Sequence, residues 1–263
     1  MIFPHEMLNV RIDGTQLSLT YCTLCNAPIL YEASDDGRRL TFGSTGMLLD
    51  GNKVMFDEAT ESLWSQHRGV PLAGEHLERG TSLDVKPVTQ TEWGEWTAEH
   101  PDTLALDIDT GYDYSAYDGH LGIFEHYWES EGAIQPGLRT AESELPEKEP
   151  VYGVAASDSD TVYVFPVEAV EREGALVRET GGESVVATTE PTGDVAAYEA
   201  PSLPVDREGD DLVDGNGDRW RVGLDRLERE DGAASRGRIA GRHGLWFAFR
   251  TGTRTRLSSR RSE

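Results

Sequence analysis

The chain has 263 residues, enough for one large or two small domains with a real core. It carries 24 Lys plus Arg against 48 Asp plus Glu, a net charge of −24, which argues against nucleic acid as a partner. No apolar run approaches the roughly 20 residues of a membrane span, and two cysteines are too few for a disulfide-stapled scaffold.

Only three lysines occur, Lys53, Lys86 and Lys148. An acidic, Arg-for-Lys surface suits a halophilic protein whose carboxylates repel each other only over a short screened distance. A GC-rich genome gives the same bias. From Arg219 onward 12 Arg face five acids, so the tail from Arg250 reads either as an anion-binding end or as a solvated one.

Taken in order, the pattern predicts an α+β, predominantly β chain. The start, Met1 to Met7, has neither a basic n-region nor an apolar h-region, so the chain as written reads as cytoplasmic. Thr15–Tyr21 alternates and is β-branched, and Ala27–Glu32 reads as its partner across the Cys-Thr-Leu-Cys-Asn turn. Arg39–Gly43 and Asn52–Asp57 are expected as short strands, punctuated by Gly46 and Asp50-Gly51. Thr91–His100 reads as a helix stopped by Pro101. Residues 129–150 read as a long surface loop. Val151–Val154 and Thr161–Phe165 resume as strands around a Ser157–Asp160 turn.

The two halves look related. At an offset of 167, Arg11 meets Arg178, Gly14 meets Gly181, and Tyr31-Glu-Ala33 meets Tyr198-Glu-Ala200. At 164, Leu48–Asn52 meets Leu212–Asn216. This predicts an internal duplication: residues 1–128 as a first β-rich half, 129–150 as a connection, 151–249 as a second half and 250–263 as an Arg-rich tail. Cys22 and Cys25 then meet Thr189 and Thr192, so only one half carries thiols. The strand pair before the second copy has no counterpart before Met1. A truncated start is therefore expected, and with an upstream segment restored the chain reads as extracytoplasmic.

Ordered motifs carry a family resemblance. They include Tyr21–Asn26, Leu40–Gly46, Val54–Asp57, Glu61–Gln66 and Leu72-Ala-Gly74, then Trp93–Trp96, His100–Thr103, Asp109–Tyr112, Leu145–Glu149 and Gly153-Val154. From His5 to about Phe249 the chain resembles the uncharacterised domain of unknown function 3179 family. His5-Glu6 matches the family's His-Glu pair, and Trp246–Phe249 resembles its aromatic end. The resemblance implies archaeal or bacterial relatives, many of them exported or lipid-anchored, and no established activity.

Cys22-x-x-Cys25 is the main chemical signal. Two thiols at this spacing can chelate a soft metal, copper or zinc, or close a small disulfide. A hairpin could bring His5 in as a third ligand. Without a second Cys pair, a four-cysteine zinc site within one chain is excluded. Glu6, Trp64, Ser65 and Gln66 are candidates for a pocket beside the turn, or are simply packed. Met47 and Met55 read as core. Asp107, Asp109, Asp113 and Asp118 read as solvated turn residues, lacking the spacing of a calcium loop. Lys148 is expected to pair with Glu147, Glu149 or another carboxylate. The functions left open are a soft-metal binding module, a thiol–disulfide oxidoreductase on the same cysteines, and a non-catalytic interaction protein.

Overall fold

The computed structural model describes residues 5–107, 109, 111, 113, 120–130, 143–156, 161–180, 183–250 and 254–257. The expected Ser157–Asp160 turn, Asp118, most of the 129–150 loop and most of the tail lie outside them. The chain is β-rich, with short helices α1 (Glu75–Arg79), α2 (Trp93–Glu99), α3 (His120–Glu129), α4 (Val167–Glu173) and α5 (Trp246–Arg250). It divides into two compact units, and each is assembled from separate segments. The first holds residues 1–86, 104–148 and 244–251; the second holds 87–103, 149–243 and 252–263. The halves expected from sequence are contiguous; the units are not, since 87–103 belongs with the second and 244–251 with the first.

In the first unit, β1 (Met7–Ile12), β2 (Thr15–Cys22) and β3 (Ala27–Glu32) form an antiparallel meander. β1 and β2 turn on Asp13-Gly14, both at positive φ, the conformation a two-residue hairpin requires. β3 alternates buried and half-buried positions along its whole length, as a strand with one face in the core should. A short pair follows, β4 (Ser34–Asp35) with β5 (Arg38–Arg39). A second meander runs β6 (Phe42–Leu49), β7 (Asn52–Asp57), β8 (Leu63–Ser65) and β9 (Val70–Ala73), and β10 (Asp84–Lys86) returns to pair with β3. The expected Arg39–Gly43 strand is thus broken at Leu40-Thr41, where the buried Leu40 turns into the core.

That core is Ile29, Tyr31, Ala33, Leu40, Phe42, Met55, Trp64 and Leu83. Met55 is in it, as expected. Met47 is not: it is 48% exposed, because β6 shifts register between Ser44 and Leu48 and runs out to its hairpin tip. Two hydrogen bonds lock the core. Tyr31 Oη donates to the Gln66 carbonyl at 2.6 Å, and Trp64 Nε1 donates to Asp57 Oδ2 at 3.0 Å. Gly69, at φ 69°, lies over Tyr31; a Cβ there would come within 2.6 Å of the ring.

In the second unit β11 (Pro150–Ala155) pairs with β12 (Thr161–Pro166), and β22 (Arg254–Leu257) joins β12 in parallel. The Arg-rich tail therefore contributes a strand. An eight-stranded sheet follows: β13 (Ala175–Thr180), β14 (Glu183–Thr189), β15 (Val195–Glu199), then β20 (Ser235–Ile239) between β15 and β19 (Arg226–Arg229), with β18 (Arg219–Val222), β17 (Asp211–Asp214) and β16 (Val205–Glu208) beyond. Tyr198 Oη donates to the Gly223 carbonyl at 2.9 Å and Trp220 Nε1 to Asp214 Oδ2 at 3.1 Å. At the β14–β15 turn the buried Glu190 pairs with Arg238 at 2.9 Å.

Candidate functional site

The Cys pair ends β2 and fills the turn into β3. Cys22 opposes Ala27 in the ladder, and Asn26, at φ 48°, closes the turn. Both thiols are free, and they are 1% and 0% exposed. Their cover comes from segments distant in sequence. Trp128 Nε1 donates to the Thr23 carbonyl at 2.8 Å, fixing α3 to the turn. Leu245 N donates to the Cys25 carbonyl at 2.8 Å. Asn52 Nδ2 donates to the Ala248 carbonyl at 3.1 Å, tying β7 to α5.

The two sulfurs stand 2.7 Å apart. Cys25 Sγ also faces the Gly51 carbonyl at 3.1 Å and Asn52 Oδ1 at 3.2 Å. The environments of the two thiols are opposite in sign. Burial works against charge on Cys22, but the Cys25 thiol, the backbone N–H groups of Cys25 and Lys53, and the Lys53 ammonium outweigh it, so Cys22 lies below the usual thiol value. Burial, and then the hydrogen bond and charge of Cys22, hold Cys25 well above it. The pair therefore gives up its first proton more readily from Cys22 than from Cys25.

Lys53 is 6% exposed, placed by the inward turn of β7. Its ammonium pairs with Glu6 and lies 3.0 Å from Ser44 Oγ. Glu6 also accepts from Thr23 Oγ1 at 2.7 Å and Ser44 Oγ at 3.3 Å. Tyr127, on α3, is pushed up to about 12 by burial and then by Cys25 and Cys22. Its hydroxyl is buried without a hydrogen-bond partner among the described residues.

Of the residues expected from sequence, the structure brings together Cys22, Cys25 and Glu6. His5 is exposed. Trp64 and Ser65 belong to the core and the β8–β9 turn: Trp64 is committed to Asp57, and Ser65 Oγ accepts from Arg68 N at 3.3 Å. Gln66 braces the strands from below, donating to Thr20 Oγ1 at 3.0 Å and to the Ala27 carbonyl at 3.1 Å. Lys148 departs from its expected carboxylate. It caps the C-terminal end of α3 through the Tyr127 carbonyl at 2.5 Å and the Ser130 carbonyl at 3.2 Å, and sits 3.8 Å from the centre of the Tyr127 ring. A cation there satisfies carbonyls that the helix leaves open. Lys53, Ser44, Asn52 and Tyr127 were missed. Only Lys53 had a signal, a lysine kept inside an apolar strand of a chain that otherwise uses Arg.

A metal reading needs more donors. Among the described residues no group of three or more His, Cys, Asp or Glu side chains is placed to hold an ion. Two thiolates on a tetrahedral zinc stand roughly 3.8 Å apart, given Zn–S bonds of about 2.3 Å, so at 2.7 Å this pair would have to spread. No described helix is long and apolar enough to cross a membrane.

A family model described as protein of unknown function, DUF3179, matches residues 1–251. The chain belongs to that family. No curated protein and no solved structure matches it. The DUF3179 match spans all three segments that cover the Cys turn, so the buried pair lies within the family domain.

Proposed function

We propose that Cys22 and Cys25 form a dithiol centre that passes between two thiols and an internal disulfide. The observation that carries this is the 2.7 Å separation of two buried sulfurs. Closure to a bond of about 2.05 Å requires only a small approach. The test is equilibrium in glutathione redox buffers followed by counting alkylatable thiols. Two thiols should disappear together in wild type, and neither should close internally in Cys22→Ser or Cys25→Ser. Thiols that stay free both in the most oxidising buffer and in hydrogen peroxide would remove the reading. The soft-metal reading, copper or zinc on Cys22 and Cys25 with His5, has its own test: reduced protein dialysed against Zn²⁺ or Cu(I) should then retain one equivalent that Cys22→Ser and Cys25→Ser lose.

We further propose that the two units descend from one duplicated ancestor. Support comes from matched order and matched bonds. β1–β3 with β10 corresponds to β13–β15 with β20, and β6–β9 to β16–β19. The Tyr31–Gln66 and Asp57–Trp64 hydrogen bonds recur as Tyr198–Gly223 and Asp214–Trp220. Asp57, not Asp50, is then the counterpart of Asp214. Ladder register carries Met7↔Thr20 onto Ala175↔Thr188, which moves Cys22 onto Glu190, one residue beyond the Thr189 suggested by sequence alone. In that unit a carboxylate–guanidinium pair fills the place of the thiols, so the fold does not depend on sulfur there.

A further inference from the structure

Resting on the dithiol reading, we infer that the oxidant is a small peroxide that penetrates to Cys22, and not the disulfide of a protein partner. Exchange with a disulfide needs a partner sulfur, with its carbon chain, to approach the attacking sulfur in line. Cys22 is 1% and Cys25 0% exposed, and Trp128, Leu245 and Asn52 hold the cover in place by hydrogen bonds. Hydrogen peroxide is little larger than water and carries no chain. The site is also built for the chemistry. Cys22 Sγ accepts the N–H groups of Cys25 and Lys53 beside a buried ammonium, which favours the charged nucleophile without exposing it.

The step balances. The Cys22 thiolate attacks one peroxide oxygen, the O–O bond breaks, and sulfenic acid forms with hydroxide as the leaving group. The hydroxide takes a proton. Tyr127 can deliver it: its buried hydroxyl has no hydrogen-bond partner among the described residues, and burial, then the charges of Cys25 and Cys22, keep it protonated up to about pH 12. Cys25 then attacks the Cys22 sulfur, the S–O bond breaks, and water leaves with the thiol proton. In sum, one thiolate, one thiol, one peroxide and one proton become a disulfide and two waters. The two sulfurs lose two electrons and the two oxygens gain them.

The experiment uses the pre-reduced full chain, native and denatured, and follows thiol loss with hydrogen peroxide, oxidised glutathione and oxidised thioredoxin. Relative to the denatured chain, the native chain should react with peroxide at least about tenfold more readily than with either disulfide. Tyr127→Phe should slow the peroxide reaction severalfold while its dependence on pH, set by Cys22, is kept. If oxidised glutathione or thioredoxin oxidises native and denatured chains alike, the small-peroxide inference falls and the dithiol reading stands. If no oxidant, including a prolonged oxidising glutathione buffer, closes the pair, the dithiol reading falls with it.

Discussion

Lys53 bears on how the Cys pair behaves, because its charge and its backbone N–H both lower Cys22. Its ammonium pairs with Glu6 and acts on that sulfur through its charge. Removing the charge and removing its competitor should therefore act in opposite directions. Lys53→Met should move Cys22 titration upward, and Glu6→Gln should move it downward, read from the pH dependence of alkylation. A shift of the same sign in both variants would show that Lys53 acts on the turn only through packing. Lys53→Met also leaves Glu6 without its partner, at a cost on the order of 1–3 kcal/mol in unfolding free energy. At this scale the cysteines were legible because spacing alone marks them. Ser44 was not, since it stands where β6 shifts register, and Tyr127 was not, since nothing local in α3 marks the distant turn to which the helix is fixed.

At the scale of elements, the buried carboxylate of Asp57 organises the β7–β8 turn. It accepts Ala59 N, Thr60 N, Thr60 Oγ1 and Trp64 Nε1. Burial raises it, but those donors and the nearby His76 outweigh burial and hold it below its ordinary value. A carboxyl lowered in the folded state adds stability that is complete above its unfolded value, near pH 4, and is lost as pH falls through the folded one. Urea unfolding of Asp57→Asn should thus show a shallower loss of stability between about pH 5 and pH 3 than wild type. Asp57→Ala should cost about 2–4 kcal/mol at neutral pH by stranding the indole and backbone donors. An equal acid slope in Asp57→Asn would place the acid sensitivity elsewhere. Strands such as β3 and β7 were legible because alternation and apolar runs follow directly from which face is buried. The break at Leu40-Thr41 was not, because a buried leucine looks the same in a strand or in a turn. The helix α5, Trp-Phe-Ala-Phe-Arg, has four of its five residues buried and so carries no amphipathic signature.

The division of the chain into interleaved segments was out of reach of the sequence for a related reason. Residues 87–103 and 244–251 show no change of composition where they pass from one unit to the other, and only their hydrogen bonds assign them. Thr89, Gln90 and Thr91 bond to Glu190, Asp194 and Thr192 of the second unit, and Leu245 to Cys25 of the first. Charge, by contrast, is a property of the whole molecule and is read directly. With a net charge of −24, self-repulsion works against the compact state. Many of the ion pairs that oppose it are exposed, such as Arg38–Glu75, Arg219–Glu208 and Arg221–Glu228, and exposed pairs contribute little.

Salt affects these two contributions unequally. It weakens the exposed pairs, which were worth little, and it also weakens the long-range repulsion, which grows with the square of the net charge. The part-buried pair Lys53–Glu6 and the buried pair Arg238–Glu190 are screened less. The balance therefore favours the folded state as salt is added. Melting temperature should rise from roughly 0.2 M to roughly 2 M KCl, where the screening length falls from about 7 Å to a few ångströms. Chloride is the right anion for the test, because sulfate would stabilise by exclusion from the surface whatever the charge. The increase should shrink in a variant whose exposed carboxylates are neutralised as amides, for instance at Asp36, Glu75 and Glu208, and a flat or falling melting curve in the wild-type chain would rule out a salt-adapted surface.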